Sequence, residues 1–123
     1  DRSVSRGLGD VYKRQVYGKP RDIADAKAML QALSGKTHTV ITGVTLTSLQ
    51  KQISFAVSTE VTFAALGDDE IDYYVETYRP LDKAGAYGVQ EWIGYIGVTG
   101  LKGSYYNVMG LPIQRLYTEL KKF

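Results

Sequence analysis

Two consecutive stretches with a repeat of two residues limit this chain more than anything else in it. From Thr37 to Thr47, His38, Val40, Thr42, Val44 and Leu46 alternate with Thr37, Thr39, Ile41, Gly43 and Thr45. From Lys51 to Phe63, Ile53, Phe55, Val57, Thr59, Val61 and Phe63 fall on one side, and Gln52, Ser54, Ala56, Ser58, Glu60 and Thr62 on the other. Side chains that alternate in this way, rich in β-branched residues, are those of strands. Ser48-Leu49-Gln50 leaves room only for a short turn, so the two strands form a long antiparallel hairpin with one buried face. That face needs a covering layer, and the flanking segments supply helices.

Pro20 blocks helix continuation and biases Lys19 toward extended backbone. Asp22 is a suitable N-cap, and Asp25 favours the positive end of a helix. Ile23, Ala26, Met29, Leu30 and Leu33 recur at helical spacing and Gly35 is a natural stop, which predicts a helix over about 23–34. Asp68, Asp69 and Glu70 open a second helix with the stripe Ile71, Tyr74, Val75 and Tyr78, ended by Pro80. Consecutive carboxylates on a helix diverge, so they complement its dipole rather than gather a metal ion. Trp92 to Val98 reads as a strand, Thr99-Gly100 as a turn, and Leu101 to Ser104 as the partner strand. Gly103-Ser104-Tyr105-Tyr106-Asn107 reads as a Gly/Ser/Asn-rich loop. Pro112 begins a last helix with the stripe Ile113, Leu116, Tyr117 and Leu120, and Lys121-Lys122 suit its negative end.

Residues 1–15 show neither period and hold four of the fifteen basic residues. The string resembles a translated sequencing adapter, and it is set aside from fold reasoning; a natural basic arm is the alternative. Residues 16–123 then form one domain, with its N-terminal part missing and its sheet incomplete. An open sheet edge or apolar face is expected.

A net charge of +2 gives no basic field of the kind nucleic acid requires. Without cysteine there is no disulfide or thiolate chemistry, which fits a reducing cytoplasm. No apolar run approaches bilayer length. His38 is the one histidine; a lone imidazole builds no multi-histidine metal site, and it reads as a strand residue.

The candidate site is Asp82-Lys83-Ala84-Gly85-Ala86-Tyr87-Gly88-Val89-Gln90. Gly85 and Gly88 allow left-handed backbone or close approach. Gln90 offers two donors and an acceptor, suited to a planar polar edge such as a nucleobase. A structurally demanding connection with no ligand fits the same composition.

That loop, together with Gly103-Ser-Tyr-Tyr-Asn-Val-Met-Gly-Leu-Pro112, resembles the Maf family of nucleoside triphosphate pyrophosphatases, also called septum formation proteins. Lys19-Pro20, Leu33-Ser34-Gly35 and Thr42-Gly43-Val44 match in the same order, and the likeness runs over about residues 16–123. It implies an α/β fold of the Maf/ITPase-like kind: a mixed sheet with a long antiparallel hairpin and flanking helices.

It also implies a hydrolase of nucleotide metabolism that cuts a nucleoside triphosphate between its α and β phosphates. A divalent metal, Mg²⁺ or Mn²⁺, comes with the family, its ligands mostly in the missing N-terminal part. Lys19 becomes a cation for the triphosphate, and Gln90 marks the branch acting on dTTP and UTP, where a carboxylate marks one acting on methylated guanine nucleotides. Lys83 either helps hold the anionic substrate or pairs structurally with Asp82. The family's catalytic Asp, in an Ala-Asp-Thr motif ahead of the Lys-Pro, is absent. Asp10 is followed by Val11, lies too near Lys19, and is rejected as its substitute. The chain thus carries substrate-binding but no catalytic or metal-binding residue. It is expected to be an inactive portion of a cytoplasmic enzyme that the family suggests is a dimer. The alternatives are a non-catalytic nucleotide-binding module and an interaction domain pairing through its sheet edge.

Overall fold

The structure, a computed structural model, describes residues 2–10 and 15–123, with side chains from Gly18 onward. In chain order the elements are β1 (Arg2–Asp10), β2 (Gln15–Tyr17), α1 (Ile23–Leu33), β3 (Thr37–Thr47), β4 (Gln52–Phe63), α2 (Asp68–Tyr78), a 3-10 turn at Ala84–Ala86, α3 (Trp92–Gly97), β5 (Val98–Lys102), α4 (Tyr105–Met109) and α5 (Ile113–Lys122). The sheet order is β2-β1-β3-β4-β5, with each neighbouring pair antiparallel.

The central hairpin is the one the alternation dictates, and the α/β class is the one the resemblance implies. The hairpin runs in unbroken register from Thr37↔Thr62 to Thr47↔Gln52. Val40, Val44 and Leu46 of β3 are buried on the same face as Val61 and Phe63 of β4. The opposite face carries exposed Ser54, Ala56, Ser58 and Glu60.

The core gathers at one end of the hairpin. Ala26, Leu30 and Leu33 of α1 and Ile71, Tyr74 and Val75 of α2 pack there with Val40, Val61 and Phe63, joined by Ala86, Tyr87, Val89, Ile93 and Val108. Each buried aliphatic or aromatic side chain contributes about 1.5–3 kcal/mol relative to exposure. α1 starts where its cap residues require: Asp22 accepts from Asp25 N at 2.8 Å and Asp25 accepts from Arg21 N at 2.9 Å. It stops at Gly35, whose φ is +68°.

Two expectations are corrected, and the segment that was set aside takes a place in the sheet. Arg2–Asp10, set aside with residues 1–15, pairs along β3 from Arg2↔Leu46 to Gly9↔Thr39. The outer edge of β3 presents unpaired N–H and C=O groups, and backbone pairing satisfies them without regard to side-chain alternation. β1 therefore covers the edge of β3, and β2 and β5 are the outer strands of the sheet.

The Trp92–Val98 strand is instead helix α3, with β5 starting at Val98 and running through the expected turn at Thr99-Gly100. Ile93 and Gly97, four residues apart, are buried, while Tyr95 and Ile96 point outward, which is a helical repeat. A short apolar run fits either element, and here packing overrides β-propensity. Gly103–Asn107, read as a loop, holds the start of α4, because Ser104 Oγ accepts from Asn107 N at 3.1 Å and caps it.

α5 forms as expected but has no buried residue; Ile113 and Tyr117 of its stripe are exposed. It meets the hairpin's far end through cations over rings: Arg115 lies 5.0 Å from the Phe55 centroid, and Lys51 4.9 Å from that of Phe123.

Candidate functional site

The loop between α2 and α3 is fastened at four points. At its start, Gly85 N donates to Gly18 O at 3.1 Å, which ties the loop to the residue preceding Lys19. Gly85 and Ala86 both adopt left-handed backbone, at φ +73° and +65°. Ala86 is fully buried, so an alanine is held in a conformation that costs about 1–3 kcal/mol unless its surroundings enforce it.

Below the loop, Tyr87 is 1% exposed and its hydroxyl lies 2.6 Å from His38 Nε2. Phe63 stacks on His38 at 5.4 Å and meets Tyr87 edge-on at 5.0 Å. The histidine of β3 thus anchors the loop from inside the core.

The third and fourth fastenings converge on Gln90. Residues 88–91 form a tight turn in which Glu91 N donates to Gly88 O at 3.0 Å. Tyr74, fully buried on α2, donates its hydroxyl to Glu91 Oε1 at 2.5 Å and accepts from Gly88 N at 3.1 Å. Burial, reinforced by the Glu91 carboxylate, pushes the Tyr74 phenol far above its ordinary range, so it remains a donor. On the other side of the turn, the Val89 carbonyl sits where a Cβ on Gly94 would be, 1.9 Å away. Only glycine admits that approach.

Gln90 is left exposed at the third position of this turn. Lys19 is exposed on the short irregular stretch between β2 and α1. Lys83 is half-buried beneath the turn: its Cε lies 2.9 Å from where a Gly88 Cβ would be, and its ammonium is 3.4 Å from Asp82. The pairing with Asp82 that the sequence allowed is present. The loop therefore offers one exposed amide on a fixed turn, with one lysine beneath it and another on the irregular segment bonded to it through Gly18. Such a set can bind an anion and a polar planar group; it contains no base.

Nearby, an open depression of about 340 Å³ is lined by Asp69, Glu70, Tyr73 and Trp92. Its two carboxylates make it unsuited to an anion. Among the described residues, no three His, Cys, Asp or Glu side chains gather as metal ligands, and no helix is long and apolar enough to cross a membrane.

Residues 4–123 match the model of the Maf-like protein family. The chain belongs to that family. It is 67% identical over 107 residues to the dTTP/UTP pyrophosphatase of Phocaeicola vulgatus, covering 87% of this chain and 55% of that one. The corresponding enzyme of Parabacteroides distasonis is 58% identical over 108 residues, covering 88% and 56%. That of Bacillus cytotoxicus is 55% identical over 112 residues, covering 91% and 58%. The Maf-like chain spans about half the length of the curated relatives it matches.

In this Maf-like chain, Tyr74, Glu91 and Gly94 are parts of the candidate site's frame that the sequence did not reveal. Tyr74 and Gly94 lie on helical stripes or apolar runs and look like packing. The available signal was the carboxylate following Gln90, since an acid at the end of a Gly-containing turn needs a partner.

Proposed function

We propose that this chain is the C-terminal portion of a nucleoside triphosphate pyrophosphatase acting on dTTP and UTP, and that by itself it binds the nucleotide without hydrolysing it. The supporting observation is the turn 88–91, fixed at both ends with Gln90 presented outward, on a loop bonded through Gly85 to the segment of Lys19. The relatives' names supply the substrate class.

In the complete reaction, water adds to the α phosphorus, the bond to the bridging α–β oxygen breaks, and pyrophosphate leaves with the nucleoside monophosphate as the other product. In this reading Gln90 hydrogen-bonds the pyrimidine edge, and Lys19 and Lys83 offset charge on the phosphates. Hydrolysis needs a carboxylate to take the water's proton, and that role falls to the Asp of the family's Ala-Asp-Thr motif, absent from this chain. Mg²⁺ or Mn²⁺ belongs to the same reading; the described residues do not assemble a site for it. A cytoplasmic homodimer completes the proposal.

Titration calorimetry with dTTP or UTP and Mg²⁺ tests the binding half: wild type should give saturable heats that Gln90→Ala and Lys19→Ala reduce at least tenfold. Identical weak heats in all three would remove the reading. Fusion of a native upstream segment carrying Ala-Asp-Thr should restore pyrophosphate release from dTTP. A folded fusion that binds dTTP without releasing pyrophosphate would favour the non-catalytic nucleotide-binding module.

A further inference from the structure

Gln90 is exposed, and an exposed glutamine on a mobile loop discriminates poorly, because ordering it on binding costs entropy. Here the backbone under it is already ordered. Both ends of its four-residue turn reach the same phenol: Gly88 through its N–H, at 3.1 Å, and Glu91 through its carboxylate, at 2.5 Å. The turn's own bond, Glu91 N to Gly88 O at 3.0 Å, closes the ring. Tyr74 comes from the middle of α2, is fully buried, and stacks on Tyr78 of the same helix at 5.1 Å, so its place is set by α2 and the core rather than by the loop.

We propose that Tyr74 is a positioning residue for base recognition: its hydroxyl holds the 88–91 turn so that Gln90 meets the nucleobase pre-aligned. This rests on the nucleotide-binding reading above, but it assigns a role to a residue that touches neither base nor phosphate. It makes a distinction that a general stabilising role does not. Lys19 lies away from the turn and Lys83 belongs to the chain before it, touching the turn only through its stem at Gly88, so loss of the Tyr74 hydroxyl should weaken recognition of the base far more than recognition of the polyphosphate.

The test compares dTTP with inorganic tripolyphosphate, each with Mg²⁺, on the full 123-residue chain. Wild type should bind dTTP at least tenfold more tightly than tripolyphosphate. Tyr74→Phe should lose most of that ratio while its tripolyphosphate affinity stays within twofold. Glu91→Gln keeps an acceptor for the phenol and should preserve the ratio; Glu91→Ala should lose it. A Tyr74→Phe protein that melts cooperatively and keeps the wild-type ratio overturns the proposal. Amide exchange separates the two readings. In Tyr74→Phe, the Gly88 N–H should exchange at least tenfold faster relative to amides of β3, whatever the ligand result. If wild type does not prefer dTTP, the nucleotide reading fails and base recognition by Gln90 fails with it. Unchanged Gly88 exchange overturns the clamp itself.

Discussion

At the scale of single residues, the site is built from groups whose chemistry is ordinary and whose placement is not. Gly94 is the sharpest case. A methyl group there would meet the Val89 carbonyl at 1.9 Å, with backbone rather than a flexible side chain in the way. Gly94→Ala should therefore destabilise the fold by on the order of 2–4 kcal/mol, read by urea denaturation, even though alanine is the better helix former. Tyr74 gives a pH prediction. Its phenol is held above its ordinary 10.0, first by burial and then by the bond to Glu91. A phenol raised in the folded state gives stability that is complete below the unfolded value and drains as pH climbs past it. Unfolding free energy should fall above about pH 10, at a limiting slope of about 1.4 kcal/mol per pH unit from this one group. Tyr74→Phe should be less steep over that range; an equal slope in both proteins would assign the loss elsewhere.

Among the elements, the best-read were those with a long, unambiguous period. The hairpin and α1 were legible because eleven- and twelve-residue strands and a capped eleven-residue helix each repeat their pattern several times. The six residues of α3 do not. Trp92-Ile93-Gly94-Tyr95-Ile96-Gly97 is apolar enough for either element, and the deciding contact, Val89 against Gly94, spans a turn that no period reveals. The loop's composition marked it as special, but the partner that orders it is a tyrosine fourteen residues upstream on a helix stripe. α2 also ends in an instructive way. Arg79 caps it in left-handed backbone at φ +47°, which its Cβ opposes. Its side chain is exposed. Arg79→Gly should stabilise the chain by about 1 kcal/mol, visible as a higher denaturation midpoint with an unchanged slope.

On the scale of the whole molecule, the sheet is supported unevenly. β5 pairs with β4 from Glu60 to Phe63, where the core also lies, and leaves Gln52 to Ser58 paired on the β3 side alone. Amides of Thr59–Phe63 should outlast those of Ile53–Val57 in native-state exchange, since the first group lies under buried apolar contacts and the second on an edge. Uniform protection along β4 would show that the far end is better covered than its exposure implies. The candidate loop is joined to the firm end, through Tyr87, His38 and Phe63. None of the four fastenings uses the amide of Gln90. The mount and the tip it carries are thus separable: one codon can exchange the exposed amide while the helices, strands and bonds behind it need no adjustment.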